Sequence, residues 1–201
     1  MARFTREQIQ KAVEKKGYRW FEGGDYNLNI VGIRNSETGG NVTNKFDDWV
    51  TLSYSVGGQL KYEEFEATTD PGSHWERNLL NKDGVAILVP GQYRGSHKIG
   101  LHQGKYEALC QKKPVKVYRD NNKDGKYDML EENIHEGIFG INIHKAGRDS
   151  KQIDKWSAGC QVIANESDWN AFMSIMYIAR KNWGNSFTYT LINSNDITKI
   201  N

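Results

Sequence analysis

The chain is poor in the residues that mark several protein classes. It has two cysteines in 201 residues, Cys110 and Cys160, which do not make a disulfide framework. It has three prolines and no low-complexity or linker-like stretch. The longest aliphatic run, "VAILV" at 85–89, is far shorter than the roughly 20 residues that a membrane helix needs. We therefore expect a soluble protein without a membrane span.

The chain also has no large excess of positive or negative charge. Lys and Arg number 27 against 25 Asp and Glu, for a net charge of +2, and the most basic segment is only "QKKPVK". Nucleic-acid binders usually carry a clear basic patch, so no nucleic-acid partner is expected. The segment "MARFTREQIQKAVEKKG" lacks the apolar core of a signal peptide. A site of action outside the cell would then be reached by lysis, in a virion or through dedicated export. The oligomeric state stays open.

What the chain does contain is enough apolar and aromatic material for one sizeable core, with 37% hydrophobic residues and six tryptophans. Short segments rich in β-branched and aromatic residues alternate with Gly, Asn and Asp clusters, which predicts strands. These segments are "YNLNIVGI", "WVTLSY", "KYEEFEAT", "GVAILV", "PVKVYRD", "GIFGINIH" and, near the end, "FTYTLIN".

Two helices are predicted around these strands. Thr5 and Gln8 fit a capping box that starts an N-terminal helix. A second helix follows Cys160, because apolar residues recur there at steps of three and four, with Asn165 or Ser167 as its cap. The apolar positions are Trp169, Phe172, Met173, Met176 and Ala179. The fold class expected is therefore mainly β (α+β), as a single domain over residues 1–201 with one helix at each of these places.

The most informative motif is "WSAGCQVI", residues 156–163, which sets Cys160 directly after Gly159. A nucleophilic thiol needs a base, usually His. All five histidines precede Cys160, which excludes a papain-like order of Cys before His. The nearest is His144, 160 − 144 = 16 residues upstream, at the end of a predicted strand. Cys110, in "KYEALCQKK", has no such setting and is expected to be a packed thiol.

The pattern "GINIHKAG…WSAGC" resembles the catalytic signature of the L,D-transpeptidases (YkuD-type), over roughly residues 138–176. The resemblance implies a YkuD-like domain from about residue 51 to 201, with residues 1–50 as a helix and strand extension. It also implies that Cys160 is the nucleophile and His144 its base, and that Ser157 fixes the loop. The backbone N–H groups of Gly159 and Cys160 would stabilise the oxyanion.

Family members act on the peptide stems of peptidoglycan through a thioester, and pass the acyl group to an amine or to water. The expected function is therefore transpeptidation, or hydrolysis as a cell-wall lysin or L,D-carboxypeptidase or endopeptidase, at the bacterial cell wall. No cofactor is required for this chemistry. A base and N–H groups near the sulfur would lower the pKa of Cys160.

The sequence departs from the family pattern next to the cysteine. Position 158 is Ala where many members have His or Lys, and the cysteine is followed by Gln161 and Val162 instead of an apolar residue and then Asn or Arg. Substrate recognition is thus expected to be particular to this chain. The predicted substrate-binding residues are Arg148, Trp156, Gln161 and His102. For Arg148 a solvated loop position is the alternative, and for His102 a surface or packing role.

A second motif, "DNNKDGKYDMLE", matches a calcium-binding loop, with Gly125 at the sharp turn. Its oxygen ligands would be Asp120, Asn122, Asp124 and Glu131. The preceding "PVKVYR" indicates a strand, so the helical flank of an EF-hand is missing. The alternative is a hairpin loop without metal.

Two further hypotheses concern a zinc site and a non-enzymatic function. A zinc site at His97 and His102 is disfavoured, because neither His-x-His nor His-Glu-x-x-His occurs. A non-enzymatic binding or virion component, with the calcium-type loop as a structural element, is the third functional hypothesis beside transpeptidase and hydrolase.

Overall fold

The computed structural model describes residues 4–148 and 150–198. Eleven strands occur in this part of the chain: β1 Asn29–Arg34, β2 Asp48–Val56, β3 Gln59–Thr68, β4 Val85–Leu88, β5 Gly91–His102, β6 Tyr106–Gln111, β7 Val115–Asp120, β8 Ile134–Gly137, β9 Ile143–Lys145, β10 Gln161–Ile163 and β11 Phe187–Asn193. The α-helices are α1 Arg6–Lys15, α2 Ser73–Arg77, α3 Glu166–Trp183 and α4 Ser194–Thr198, and two short 3-10 helices span Ser36–Thr38 and Glu131–Asn133.

Eight of the strands close into a barrel, in the order β1-β11-β5-β6-β9-β10-β3-β2. The pairs β1/β11 and β9/β10 are parallel, and the other pairs are antiparallel. The remaining strands form a separate antiparallel sheet, β4-β7-β8. The prediction of a mainly β, α+β fold is confirmed.

The N-terminal helix forms as the sequence predicts. Thr5 Oγ1 accepts from the Gln8 N–H while the Gln8 side chain accepts from the Thr5 N–H, which completes the capping box. The buried face of α1, with Ile9 and Val13, packs on Val31 and Ile33 of β1. Helix α1 therefore covers the outer face of the barrel at β1, because alternate residues of a strand point to opposite faces.

The first 50 residues are continuous with the barrel. β1 pairs with both β2 and β11, and all six residues of β1 are buried. The first 50 residues thus contain one complete strand of the barrel, β1, and the first three residues of a second, β2. At Gly32 a Cβ atom would lie 1.9 Å from the Tyr189 hydroxyl, so β1 passes close to the side chain of Tyr189 in the barrel.

The helix after Cys160 is α3, and its cap is Asn165, whose Oδ1 accepts from the Ser167 N–H. Its five predicted apolar positions are all buried in the main core with the inner residues of the barrel. A short second helix, α4, follows β11, so two helices come after Cys160, not one. Among the described residues, no helix has the length and apolar character that a membrane crossing requires.

Candidate active site

The parallel pair β9/β10 brings Cys160 and His144 to one face of the barrel. Gln161 is in register with Ile143, and Val162 with His144. Ile143 and Ile163 point into the main core, whereas Cys160 and Val162 belong to an outer cluster. Since side chains alternate along a strand, Cys160 and His144 both lie on the outer face.

The turn before Cys160 is held by Ser157. Ser157 Oγ donates to the Cys160 carbonyl at 2.7 Å and accepts from the Gly159 N–H at 3.1 Å. Gly159 has φ of 139°, and a Cβ there would lie 2.2 Å from the Ala86 carbonyl oxygen. The Ser-Ala-Gly-Cys turn therefore requires glycine for two reasons, its backbone conformation and the close approach of β4.

This hydrogen bonding corrects one predicted role. The N–H of Gly159 already donates to Ser157 Oγ, so it is not a free donor for an oxyanion. The N–H of Cys160 has no acceptor in the described part of the chain. Of the two predicted oxyanion donors, only the Cys160 N–H is available.

The environment of the thiol favours its protonated form. Cys160 Sγ donates to the Gly140 carbonyl at 3.2 Å. Burial raises the pKa of Cys160 to about 11, although the backbone N–H of Asn142 acts in the opposite direction by favouring the thiolate. The prediction of a lowered Cys160 pKa is wrong, because desolvation outweighs the stabilising N–H group.

Two imidazoles stack on each other, and one of them, His102, lines the same cavity as Cys160. The ring centroids of His102 and His144 are 4.2 Å apart with an interplanar angle of 23°. Burial and the neighbouring His102 lower the pKa of His144 to about 4, against the opposing effect of the backbone carbonyls of Lys145 and Trp156. Burial and Lys105 lower the pKa of His102 as well. Both rings are therefore neutral at pH 7 and able to accept a proton.

The histidines differ in what they contact. His144 Nδ1 lies 2.9 Å from the Lys145 carbonyl, and His102 Nδ1 lies 3.0 Å from the side-chain nitrogen of Asn142. In the described part of the chain, neither ring is hydrogen-bonded to Cys160 Sγ. The predicted nucleophile and its predicted base thus share a face without a direct hydrogen bond between them.

Cys160 opens on a cavity of about 500 Å³, a size usual for a small-molecule or peptide site. His102 lines this cavity, whereas His144, whose ring stacks on His102, is not one of its lining residues. The full lining is Trp75, Leu80, Asn81, Gly84, Val85, Ala86, His102, Gln103, Arg119, Phe139, Gly140, Ile141, Asn142, Ala158, Gly159 and Cys160.

The structure does not bring Arg148 and Trp156 to this cavity. Both line a different, larger cavity of about 770 Å³ together with Lys45, Glu66 and other polar residues. The Arg148 side chain is 86% exposed and its nearest acidic partner is Glu166, at 4.0 Å. The solvated-loop alternative for Arg148 fits this position, and neither residue contacts the space beside Cys160.

Gln161, another predicted substrate-binding residue, does not line the cavity beside Cys160. It is fully buried, and its Oε1 accepts from the Tyr189 hydroxyl at 2.8 Å. Its Nε2 donates to the Gly159 carbonyl at 3.3 Å. Because its side chain alternates with those of Cys160 and Val162, Gln161 faces the barrel interior, where it ties the Ser-Ala-Gly-Cys turn to β11.

The calcium-type loop uses its own side chains for internal hydrogen bonds. Asp120 Oδ1 accepts from the Asn122 N–H, Asn122 Oδ1 from the Asp124 N–H, and Asp124 Oδ1 from the Lys126 N–H. Glu131 begins a 3-10 helix instead of the α-helix of an EF-hand. Among the described residues no three His, Cys, Asp or Glu side chains are grouped to hold a metal ion.

Sequence reasoning missed the segment 139–142 and Arg119. Gln111 Oε1 accepts from the N–H groups of Phe139 and Ile141, and the ring of His97 contacts the Ile141 carbonyl at 2.9 Å. These bonds fix the carbonyl and N–H groups that face Cys160 Sγ. Arg119 lies in a segment with an ordinary strand pattern, which gave no signal that its side chain reaches the cavity.

No family model, curated protein or solved structure matches the chain in any of the three comparisons. The resemblance to the L,D-transpeptidases therefore rests on the signature of residues 138–176 alone.

Proposed function

We propose that the protein is a cysteine-dependent acyltransferase of L,D-transpeptidase type that acts on the peptide stems of peptidoglycan. The observation that carries the proposal is the position of Cys160 at the wall of a cavity of about 500 Å³ that His102 also lines, with the ring of His144 stacked on that of His102. The substrate class comes from the resemblance of "GINIHKAG…WSAGC" to that family. The thiol, the proton acceptor and an available N–H group are the parts that acyl transfer needs.

The first step starts from a neutral thiol. Cys160 Sγ attacks the carbonyl carbon of the donor peptide bond, while its proton passes to the stacked His102–His144 pair. The carbonyl oxygen takes the negative charge, and the Cys160 N–H is the donor available to it. When the carbon–nitrogen bond breaks, the leaving amine takes the proton from the imidazole, which leaves a thioester on Cys160.

The second step decides between the two enzyme classes. Attack of an amine on the thioester gives a new peptide bond, whereas attack of water gives a free carboxylic acid. In both cases the attacking group loses a proton to the imidazole, and the thiol regains one. The acceptor follows from how the cavity admits water and a second peptide, so the same site serves either a transpeptidase or a lysin.

The test uses defined muropeptides and mass spectrometry of the products. Wild-type protein should convert them to cross-linked products or to hydrolysed stems, and Cys160→Ala should give neither. Cys110→Ala is the matched control, because Cys110 lies in β6 outside the lining of the cavity. Unchanged muropeptides with folded wild-type protein from pH 7 to 9 would refute the proposal and favour a non-enzymatic binding role.

A further inference from the structure

The cavity beside Cys160 contains one strongly basic side chain. Arg119 is near the end of β7, in the three-stranded sheet, and its side chain reaches the wall that Gly84, Phe139 and Cys160 also form. None of the described residues that line this cavity is Asp, Glu or Lys. The lining thus combines a positive charge with neutral groups, apart from the titratable Cys160 and His102.

The guanidinium of Arg119 is held from two sides. Nη1 donates to the Gly84 carbonyl at 3.0 Å, and Cζ lies 4.8 Å from the centre of the Phe139 ring. Gly84 and Phe139 both belong to the cavity wall. A guanidinium stacked on an aromatic face and hydrogen-bonded to a carbonyl loses little freedom when it binds a ligand.

Most of the hydrogen-bonding capacity of this guanidinium is unused. Of its five N–H donors, the described residues provide an acceptor for one, through Nη1. Nε is buried without a hydrogen-bond partner in the described part of the chain. Asp83 is the acidic group whose charge acts on Arg119, but it forms no ion pair with it among the described residues.

A planar cation with free donors and no ion-pair partner is matched by a carboxylate, which accepts two parallel N–H groups. We infer that Arg119 anchors a carboxylate of the donor substrate in the Cys160 cavity. The inference rests on the proposed function and adds to it one specificity-determining residue, Arg119, for a carboxylate close to the bond that Cys160 attacks.

The size of the cavity limits the distance between this carboxylate and the carbonyl that Cys160 attacks. A compact volume of 500 Å³ is about 10 Å across, and an extended peptide advances about 3.3 Å per residue. The carboxylate therefore lies within about two or three residues of the attacked carbonyl. Arg148, the arginine that the sequence favoured for this role, lies in the other cavity.

The first experiment compares two synthetic stem peptides that differ only in that carboxylate, free in one and amidated in the other. Wild-type protein should turn over the free peptide with kcat/KM roughly tenfold to a hundredfold higher. Arg119→Gln should remove this preference by lowering kcat/KM for the free peptide only, and Arg119→Lys should keep part of it. Arg148→Gln, the matched control, should keep all of it. Equal kcat/KM values in wild type, or a full preference in Arg119→Gln, would overturn the inference.

The second experiment needs no turnover, so it separates this inference from the proposed function. The rates at which iodoacetate and iodoacetamide alkylate Cys160 are measured peptide by peptide. Iodoacetate carries a carboxylate, so its rate relative to iodoacetamide should fall severalfold in Arg119→Gln and stay unchanged in Arg148→Gln. If wild type converts neither peptide but this ratio falls, the proposed function fails and the anion site at Arg119 stands. An unchanged ratio in folded Arg119→Gln overturns the anion site.

Discussion

At the scale of single residues, the state of Cys160 decides how the site works. Burial keeps the thiol protonated, with a pKa of about 11, and keeps His144 neutral, with a pKa of about 4. A preformed thiolate–imidazolium pair would need the opposite shifts. In the proposed reaction the proton therefore leaves the sulfur during the attack and not before it, with an imidazole as the general base.

The pH profile of alkylation tests this state. Iodoacetamide should label Cys160 more slowly than a free cysteine at pH 7, and the rate should rise up to about pH 11, because the thiolate is the reacting form. The measurement is the labelling rate of each cysteine-containing peptide between pH 6 and 11. Half-maximal labelling near pH 6 would show a preformed thiolate and contradict this description of the site.

At the scale of elements, the barrel positions the site through β10 and β11. The Tyr189 hydroxyl on β11 donates to Gln161 Oε1 at the start of β10. The Gln161 side chain in turn donates to the Gly159 carbonyl in the Ser-Ala-Gly-Cys turn. The glutamine that follows Cys160 is thus a link between strands.

Removal of this link should cost stability. Tyr189→Phe leaves a buried carbonyl oxygen without its donor, and we expect the free energy of unfolding to fall by about 1–2 kcal/mol. Urea unfolding followed by tryptophan fluorescence measures this change. Tyr118→Phe is the control, because Tyr118 is half-buried and its hydroxyl has no hydrogen-bond partner in the described part of the chain. Equal stability of Tyr189→Phe and wild type would refute a stabilising role for the hydrogen bond between Tyr189 and Gln161.

Elements with a clear sequence pattern were predictable. β11 has the bounds predicted for "FTYTLIN", and α1 and α3 begin at their predicted caps. β5 was missed because "GQYRGSHKIGLH" is polar and contains three glycines, and its pairing with β6 and β11 is what makes it a strand. Tertiary pairing overrides local preference at such a segment.

The candidate site was predictable only where residues are close in sequence. The turn around Ser157 and its hydrogen bond to Cys160 follow from four consecutive residues. Arg119 and His102 reach the cavity from β7 and β5, through pairings between distant segments that no local pattern reports. The shift in the Cys160 pKa also depends on burial, which only the assembled barrel defines.

At the scale of the whole molecule, buried ionisable groups couple stability to pH in opposite senses. Burial lowers the pKa of His97 to about 4, as it does for His144. Between about pH 6.5 and 4 the unfolded chain binds more protons at these residues, so their contribution to stability is lost as the pH falls. Burial and Asp70 raise the pKa of Asp48 to about 7. Between about pH 6.5 and 4 the folded chain therefore binds more protons at Asp48 than the unfolded chain does, so the contribution of Asp48 to stability increases as the pH falls.

A comparison of variants isolates the histidine contribution. When the pH falls from 7.5 to 5, His97 should lower the free energy of unfolding of wild type by roughly 2 kcal/mol. His97→Gln should not show this loss, because it has no ring to protonate. Urea unfolding at several pH values gives this difference. His135→Gln, at an exposed position, should run parallel to wild type. Parallel curves for His97→Gln and wild type would contradict the buried neutral His97.

The most direct test of the central claim is detection of the acyl-enzyme. Wild-type protein is mixed with a defined stem peptide, quenched in acid within seconds, and examined by intact-mass and peptide-level mass spectrometry. The proposed function predicts a mass gain equal to the acyl fragment, located on Cys160, released by hydroxylamine and absent from Cys160→Ala. A peptide that is converted while Cys160 stays unmodified and Cys160→Ala stays active would contradict it.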